Sequence, residues 1–333
     1  MSVGGPVPAD AAGQRLGPLV SRLRGPRGIV RRGVVLVRFA ALAALVAGAL
    51  LTPGFTSGPS VLALLTTMSF IGCVAVGMTF VTISGNIMAF CFGATAAATT
   101  LVFAATLGWG LLPAVIAALA FGGMVTAAQG LVIGYLRANP IIVSIAALAL
   151  INGFAQTATG GQSLYLERTG PHELLKGKIA GLPVEFVLFV AVVAIGQFLL
   201  SFTRFGRNVY MIGSSLRAAE AAGVHTVRTV VGTYLWAGLF VAVPGVMLAA
   251  RYNSANMEYG IGYDYDAIAG VLVGGTPIHG GEGSVLRTLA GVVIIATVQV
   301  LVILLGFRQE WQYLLTGLIV LFVVLLHTVG SRR

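Results

Sequence analysis

The 333 residues are 57% hydrophobic and only 9% charged, with a mean hydropathy of +0.96. A water-soluble globular chain carries about 25% charged residues, so the composition excludes a soluble fold and makes lipid the solvent for most of this chain. The net charge of +10 does not signal nucleic acid, because the 20 basic residues, 18 of them Arg, are scattered between apolar runs and form no patch.

Residues 1–33 carry Arg15, Arg22, Arg24, Arg27, Arg31 and Arg32 and read as a disordered basic tail. The apolar run that follows, Val34 to Leu51, is longer than the roughly 7–15-residue core of a signal peptide, and reads as a first membrane helix. With about 20 apolar residues needed per crossing, ten spans are predicted. They cover 34–52, 61–83, 87–107, 111–135, 140–158, 183–202, 228–250, 265–277, 285–305 and 312–329. The eighth is short, and only Ser84, Gly85 and Asn86 separate the second from the third. The expectation is an all-α polytopic membrane domain over residues 34–330. A cytoplasmic N-terminus and ten spans bring the C-terminus back to the cytoplasm, with 15 basic residues on that side and 5 on the other, as the positive-inside rule requires. Three connections are long: an outer loop at 159–182 with Glu167, Arg168, His172 and Glu173, an inner loop at 203–227, and a polar outer loop at 251–264.

Two glycine-bearing stretches interrupt the spans. Val273–Ser284, VGGTPIHGGEGS, has five glycines in twelve residues. It lacks the lysine of a phosphate-cradling loop, so it reads as a helix break: either a re-entrant turn on a translocation path or a tight inner loop. Ile83–Gly93, ISGNIMAFCFG, is the other, and is either a second such break or a simple inner turn. Paired discontinuous helices mark transport sites.

Ionisable groups are nearly absent from the spans; Glu185, Asp264, Asp266 and Arg287 fall at span ends. An ion-coupled carrier carries a buried acid or base in mid-membrane, and none is offered. His327, near the inner end of the last span, reads as a snorkelling or packed residue rather than a relay. The polar residues Gln129, Asn152, Gln156 and Gln299 either meet a hydroxyl-rich solute or tie helices together. The path residues expected from the breaks and spans are Asn86, Met88, Phe90, Asn152, Gln156, Gly274, Gly275, Thr276 and Gln299. Cys73 and Cys91 lie in apolar segments and read as small hydrophobes. His172, His225 and His279 have no nucleophile or metal-ligand spacing around them, so no catalytic, metal or cofactor-binding residue is assigned. The inner loop contains SSLRAAEAAG, in which Ser214 or Ser215 caps a short helix and Gly223 ends it, presenting Arg217, Ala218, Ala219 and Glu220 to a partner.

These segments resemble the permease subunits of ribose-type ATP-binding-cassette importers. Gly206, Arg207, Tyr210, Ile212, Gly213, Ala218, Ala219, Gly223 and Val224 match that family's cytoplasmic loop without a gap. Gly262–Gly291 resembles its G-Y-x-[LF]-D-A-I-A-x-V-x-x-G-G-T run, and Asn139–Tyr165 its N-P-F-I-x-T-L segment with a T-G-G turn. The resemblance implies a permease in the bacterial inner membrane. A separate ATPase carrying the ATP would dock on Arg217, Ala218, Ala219, Glu220 and Gly223. An extracytoplasmic binding protein would deliver a small polar solute, most often a monosaccharide and in some relatives a nucleoside. A second permease copy or a paralogue would complete the pathway. A passive channel working without an ATPase is the rival reading. The sequence departs from the family where G-x-I-D-L-S-V-G is expected: Met88 replaces the acid, Phe90 the serine and Phe92 a glycine, removing polarity from the first break.

Overall fold

The computed structural model describes residues 52–86, 88–167, 170–179 and 181–331. The basic tail 1–33, the first predicted span apart from Thr52, and Arg168 lie outside the described residues.

Four helices come first among the described residues: α1 (Gly58–Ile83), the shorter α2 (Phe92–Thr106), α3 (Leu111–Leu136) and α4 (Pro140–Thr159). After a loop come α5 (Val184–Phe202), the short α6 (Arg204–Ser214) and α7 (Leu216–Ala221), and the long α8 (Thr226–Tyr252). The chain closes with α9 (Tyr263–Val273), α10 (Val285–Leu304) and α11 (Gln309–Ser331). Among the described residues seven helices are long and apolar enough to cross a bilayer, and the chain is a multi-pass membrane protein. The predicted third span starts five residues late, because 88–91 is not helical. The predicted eighth span is a helix of only 11 residues, about 16 Å at 1.5 Å per residue, half of a bilayer core.

Local chemistry starts and stops these helices. Asn139 Oδ1 accepts from the Ile141 amide at 2.9 Å, with Pro140 in the first turn of α4, where a missing N–H is harmless. Buried threonines within the helices return their hydroxyls to the carbonyl one turn back, as Thr79 does to Ala75 and Thr126 to Gly122, which pairs those donors in apolar surroundings. Thr79 also meets Thr288 at 2.7 Å, joining α1 to α10. Pro244 interrupts α8, yet the helix runs through it, as helices packed among neighbours in a membrane do.

The order of elements repeats with inverted direction. A long helix, a connecting stretch, a short helix and two further helices make up α1 to α4, and the same succession recurs in α8 to α11. α8 packs on α2 and α3, as α1 packs on α9 and α10; α2 meets α4 as α9 meets α11. α1 ends beside α6, whereas α8 begins on that side, so the two halves run in opposite senses. α1 and α8 touch at the centre, and α4 lies at the periphery with little of its surface buried.

Close backbone approach builds the α3–α8 seam. A Cβ at Gly238 would overlap the Thr126 hydroxyl and the Gly122 carbonyl. Small residues permit such approach where lipid offers no hydrophobic drive between helices. Gly238→Val is expected to destabilise by about 1–3 kcal/mol through overpacking, and to lower the melting temperature of the detergent-solubilised protein. Gly153→Ala on α4, where a Cβ meets nothing, is expected to leave it unchanged.

Candidate translocation and coupling site

Both glycine-bearing stretches are breaks in helices. α1 stops at Ile83, Gly85 turns with φ +78°, and residues 88–91 lead without helical structure to α2. α9 stops at Val273 with the Gly275 amide bonded to Leu272 O and the Thr276 amide to Val271 O, a glycine-closed helix end. The chain then turns through 274–284 before Ser284 caps α10 by accepting from the Arg287 amide at 3.2 Å.

The short helices α2 and α9 begin next to each other. Cys91, at the N-cap of α2, supplies no side-chain cap. Asp264, in the first turn of α9, supplies it instead: its Oδ1 accepts from the Gly93 amide at 2.9 Å and the carboxylate also takes the Phe92 amide. One carboxylate therefore answers the orphan donors and the positive dipole ends of two helices. Asp266, two residues on and buried, accepts from Gln299 of α10 and Thr316 of α11. Both acids lie at a span end in the chain but inside the bundle in space, because α9 starts within it.

Of the expected path residues, Gly274, Gly275 and Thr276 form the turn after α9, with Thr276 buried. Asn86 donates to Ser84 Oγ at 2.9 Å at the first break. Met88 is buried in the core and Phe90 packs against it. Gln299 is engaged with Asp266. Asn152 and Gln156 sit on the peripheral α4, away from both breaks, with Gln156 exposed; a polar residue in an apolar run does not reveal which way its helix faces. Gln129 accepts from Cys91 Sγ at 3.0 Å, tying α3 to the first break.

The 203–227 loop folds as two helices. Thr203 caps α6 by accepting from the Gly206 amide at 3.1 Å, and Val209 and Ile212 bury one face. Ser215 caps α7. The Gly223 and Val224 amides return to Glu220 O and Ala219 O, with Gly223 at φ +77°. On α7, Ala219 is buried while Arg217, Ala218 and Glu220 are exposed. Glu220 pairs with Arg137 at the end of α3, 2.8 Å apart.

At this end the three segments meet. The Gly281 amide donates to Ile83 O at 2.9 Å, joining the two breaks. Gly213 of α6 lies against both, so that a Cβ there would collide with Ile83 O and the Gly281 amide. Tyr210, whose hydroxyl burial pushes up from its ordinary pKa, donates to Gly283 O at 2.8 Å. Sequence reasoning found each segment by its glycines but not this junction, which exists only across the fold.

At the opposite end, His172 is buried from the 170s loop and donates through Nε2 to Asn253 Oδ1 at 2.8 Å, where Lys176 also donates at 2.6 Å. Lys176, hydrogen-bonded to Glu173, holds that carboxyl below its usual range. Arg251 and Glu185 pair at 3.1 Å, fastening α8 to α5.

Residues 60–324 match the family model described as branched-chain amino acid transport system / permease component. The chain belongs to this permease family. It is 33% identical over 281 residues to the ribose import permease protein RbsC of Bacillus subtilis, covering 83% of this chain and 87% of that protein. It is 32% identical to the L-arabinose transport system permease protein AraH of Escherichia coli over 87% of this chain and 88% of the relative. It is 33% identical to the galactose/methyl galactoside import permease protein MglC of Haemophilus influenzae over 64% and 66%. No solved structure gives a significant match.

The junction makes a test. Tyr210→Phe removes one hydrogen bond and is expected to cost about 0.5–1.5 kcal/mol, with transport partly retained. Gly213→Ala displaces both breaks, and is expected to abolish transport while the protein still reaches the membrane; solute uptake and membrane abundance, measured side by side, separate the two.

Proposed function

We propose that this chain is the permease subunit of an ATP-driven importer in the bacterial inner membrane, moving a monosaccharide delivered by an extracytoplasmic binding protein. The observation that supports this most directly is the contact of the α6–α7 loop with both helix breaks through Gly213 and Tyr210. On this reading the α6–α7 end is cytoplasmic, and a separate ATPase holds the ATP and seats on α7 at Arg217, Ala218, Glu220 and Gly223. A push on α7 passes through α6 to Ile83 and to 281–283, and so to the α1–α2 and α9–α10 connections together. ATP and the loaded binding protein then bias two orientations of the short helices by their differential affinity for each. A second copy of the chain, or a paralogue, completes the path. A paralogue is favoured by the apolar Met88, Phe90 and Phe92, which would leave the polar side chains of the first break to the other subunit. The relatives' printed names, ribose, arabinose and galactose permeases, support the solute class.

The experiment is to tag the chain in its native membrane, solubilise it gently and identify what co-purifies by mass spectrometry. A P-loop ATPase with a binding protein is expected; a binding protein recovered in this way is then screened for its sugar by the stability that ligand confers. A chain that elutes alone, under conditions that hold known complexes, contradicts the reading. In the same assay Glu220→Arg is expected to lose the ATPase. It places a second arginine against Arg137, while the exposed pair it breaks is worth only about 0–1 kcal/mol, so thermal stability should hardly change.

A further inference from the structure

Two crevices open on the helical bundle in equivalent places of the inverted halves. One, about 810 Å³, lies among α2, α3 and α4. Apart from Gln129 and Thr159 its lining is apolar, which suits no hydroxylated solute. The other, about 400 Å³, lies between α9 and α11 and includes Gly262, Tyr265, Ile268, Tyr313, Thr316 and Val320 in its wall.

The smaller crevice has the composition of a site for a small ring. Ligand pockets are mostly apolar, of about 300–1,000 Å³, with a few convergent polar groups. Tyr265 and Tyr313, 63% and 40% exposed, present amphipathic rings. An interfacial belt of aromatics would account for Tyr313, one turn into α11. It does not account for Tyr265, in the first turn of a helix that begins within the bundle. Thr316 donates to the buried Asp266 carboxylate, which also accepts from Gln299. A hydroxyl used as a donor keeps two acceptor lone pairs. Among the described residues no charged side chain lines the crevice, which matches an uncharged solute.

We propose that this crevice is a solute subsite on the translocation path. Tyr265 and Tyr313 hold the apolar face of an uncharged, polyhydroxylated ring. Thr316, oriented by Asp266 and Gln299, accepts from one of its hydroxyls. The inference rests on the importer reading above and assigns the polar wall of the path to the second half of the chain, where the first half has Met88, Phe90 and Phe92.

The test uses the whole complex, permease with its ATPase and binding protein, in proteoliposomes with radiolabelled ribose, arabinose and galactose. Uptake per ATP hydrolysed is the readout, with the melting temperature as the measure of folding. Tyr265→Ala and Tyr313→Ala are each expected to lower uptake per ATP by about 3-fold to 10-fold, the scale of one aromatic contact. ATPase rate and melting temperature should stay near wild type, and Tyr265→Phe and Tyr313→Phe, which keep the rings, should retain most uptake. Thr316→Val is expected to change the ratio of uptake among the three sugars. Unchanged uptake per ATP in both alanine variants overturns the subsite, as does equal damage by the phenylalanine variants. A wild-type complex that moves none of the three sugars overturns the monosaccharide reading itself, a result distinct from failure of the subsite.

Discussion

The α6–α7 end of this bundle is held by one close approach: the backbone of Gly213 lying on the Ile83 carbonyl and the Gly281 amide. No residue with a side chain fits there without moving one break or the other. Interfaces built from backbone against backbone have no soft side chain to absorb a displacement, so a shift of α6 is passed on rather than dissipated. The Tyr210 bond to Gly283 and the Gly281 bond to Ile83 add direction to this contact. They join a surface loop, the end of α1 and the turn after α9 into one body.

The inverted halves give that body two levers of different chemistry. In each, a long helix gives way to a short one that starts inside the bundle, and Asp264 binds the two starts together through the Gly93 amide. The halves are alike in packing but not in side chains. The first break is lined by Met88, Phe90 and Cys91, all turned into the core or against it. The start of α9, the counterpart of α2 in the second half, carries Asp264, Tyr265 and Asp266. Burying a polar group is costly unless it is hydrogen-bonded, and Asp266 has both Gln299 and Thr316. Among the described residues both halves bury hydroxyls and amides, but the carboxylates at the start of a short helix belong to the second half, and Asp266 is held by three helices.

Much of this was legible in the sequence. Apolar runs separated by glycine and polar residues revealed the helices and both breaks, and the serine before and glycine after LRAAEA marked α7. What depends on depth was not legible. Asp264 and Asp266 look like residues at the rim of a span, because nothing in the chain says that the chain dips inward at 253–262 before α9 begins. Asn152 and Gln156 look like interior groups, because polarity within a span does not say which way the helix faces; α4 turns out to be peripheral. His172 looks like an exposed loop residue, yet Asn253, at the far end of α8, offers it a partner across 81 positions. In each case the deciding contact is between segments distant in sequence.

The claim that the loop and the breaks move as one body is open to a direct measurement. Cys73 and Cys91 are buried, so spin labels on Ala221→Cys, Glu282→Cys and Ile142→Cys report on exposed positions of α7, the second break and α4. Pulsed electron resonance distances would be taken in the complex with its ATPase, with and without ATP. The account predicts that the Ala221–Glu282 distance stays constant while the Glu282–Ile142 distance shifts on ATP binding. A change between Ala221 and Glu282, or no shift in either pair, would contradict it.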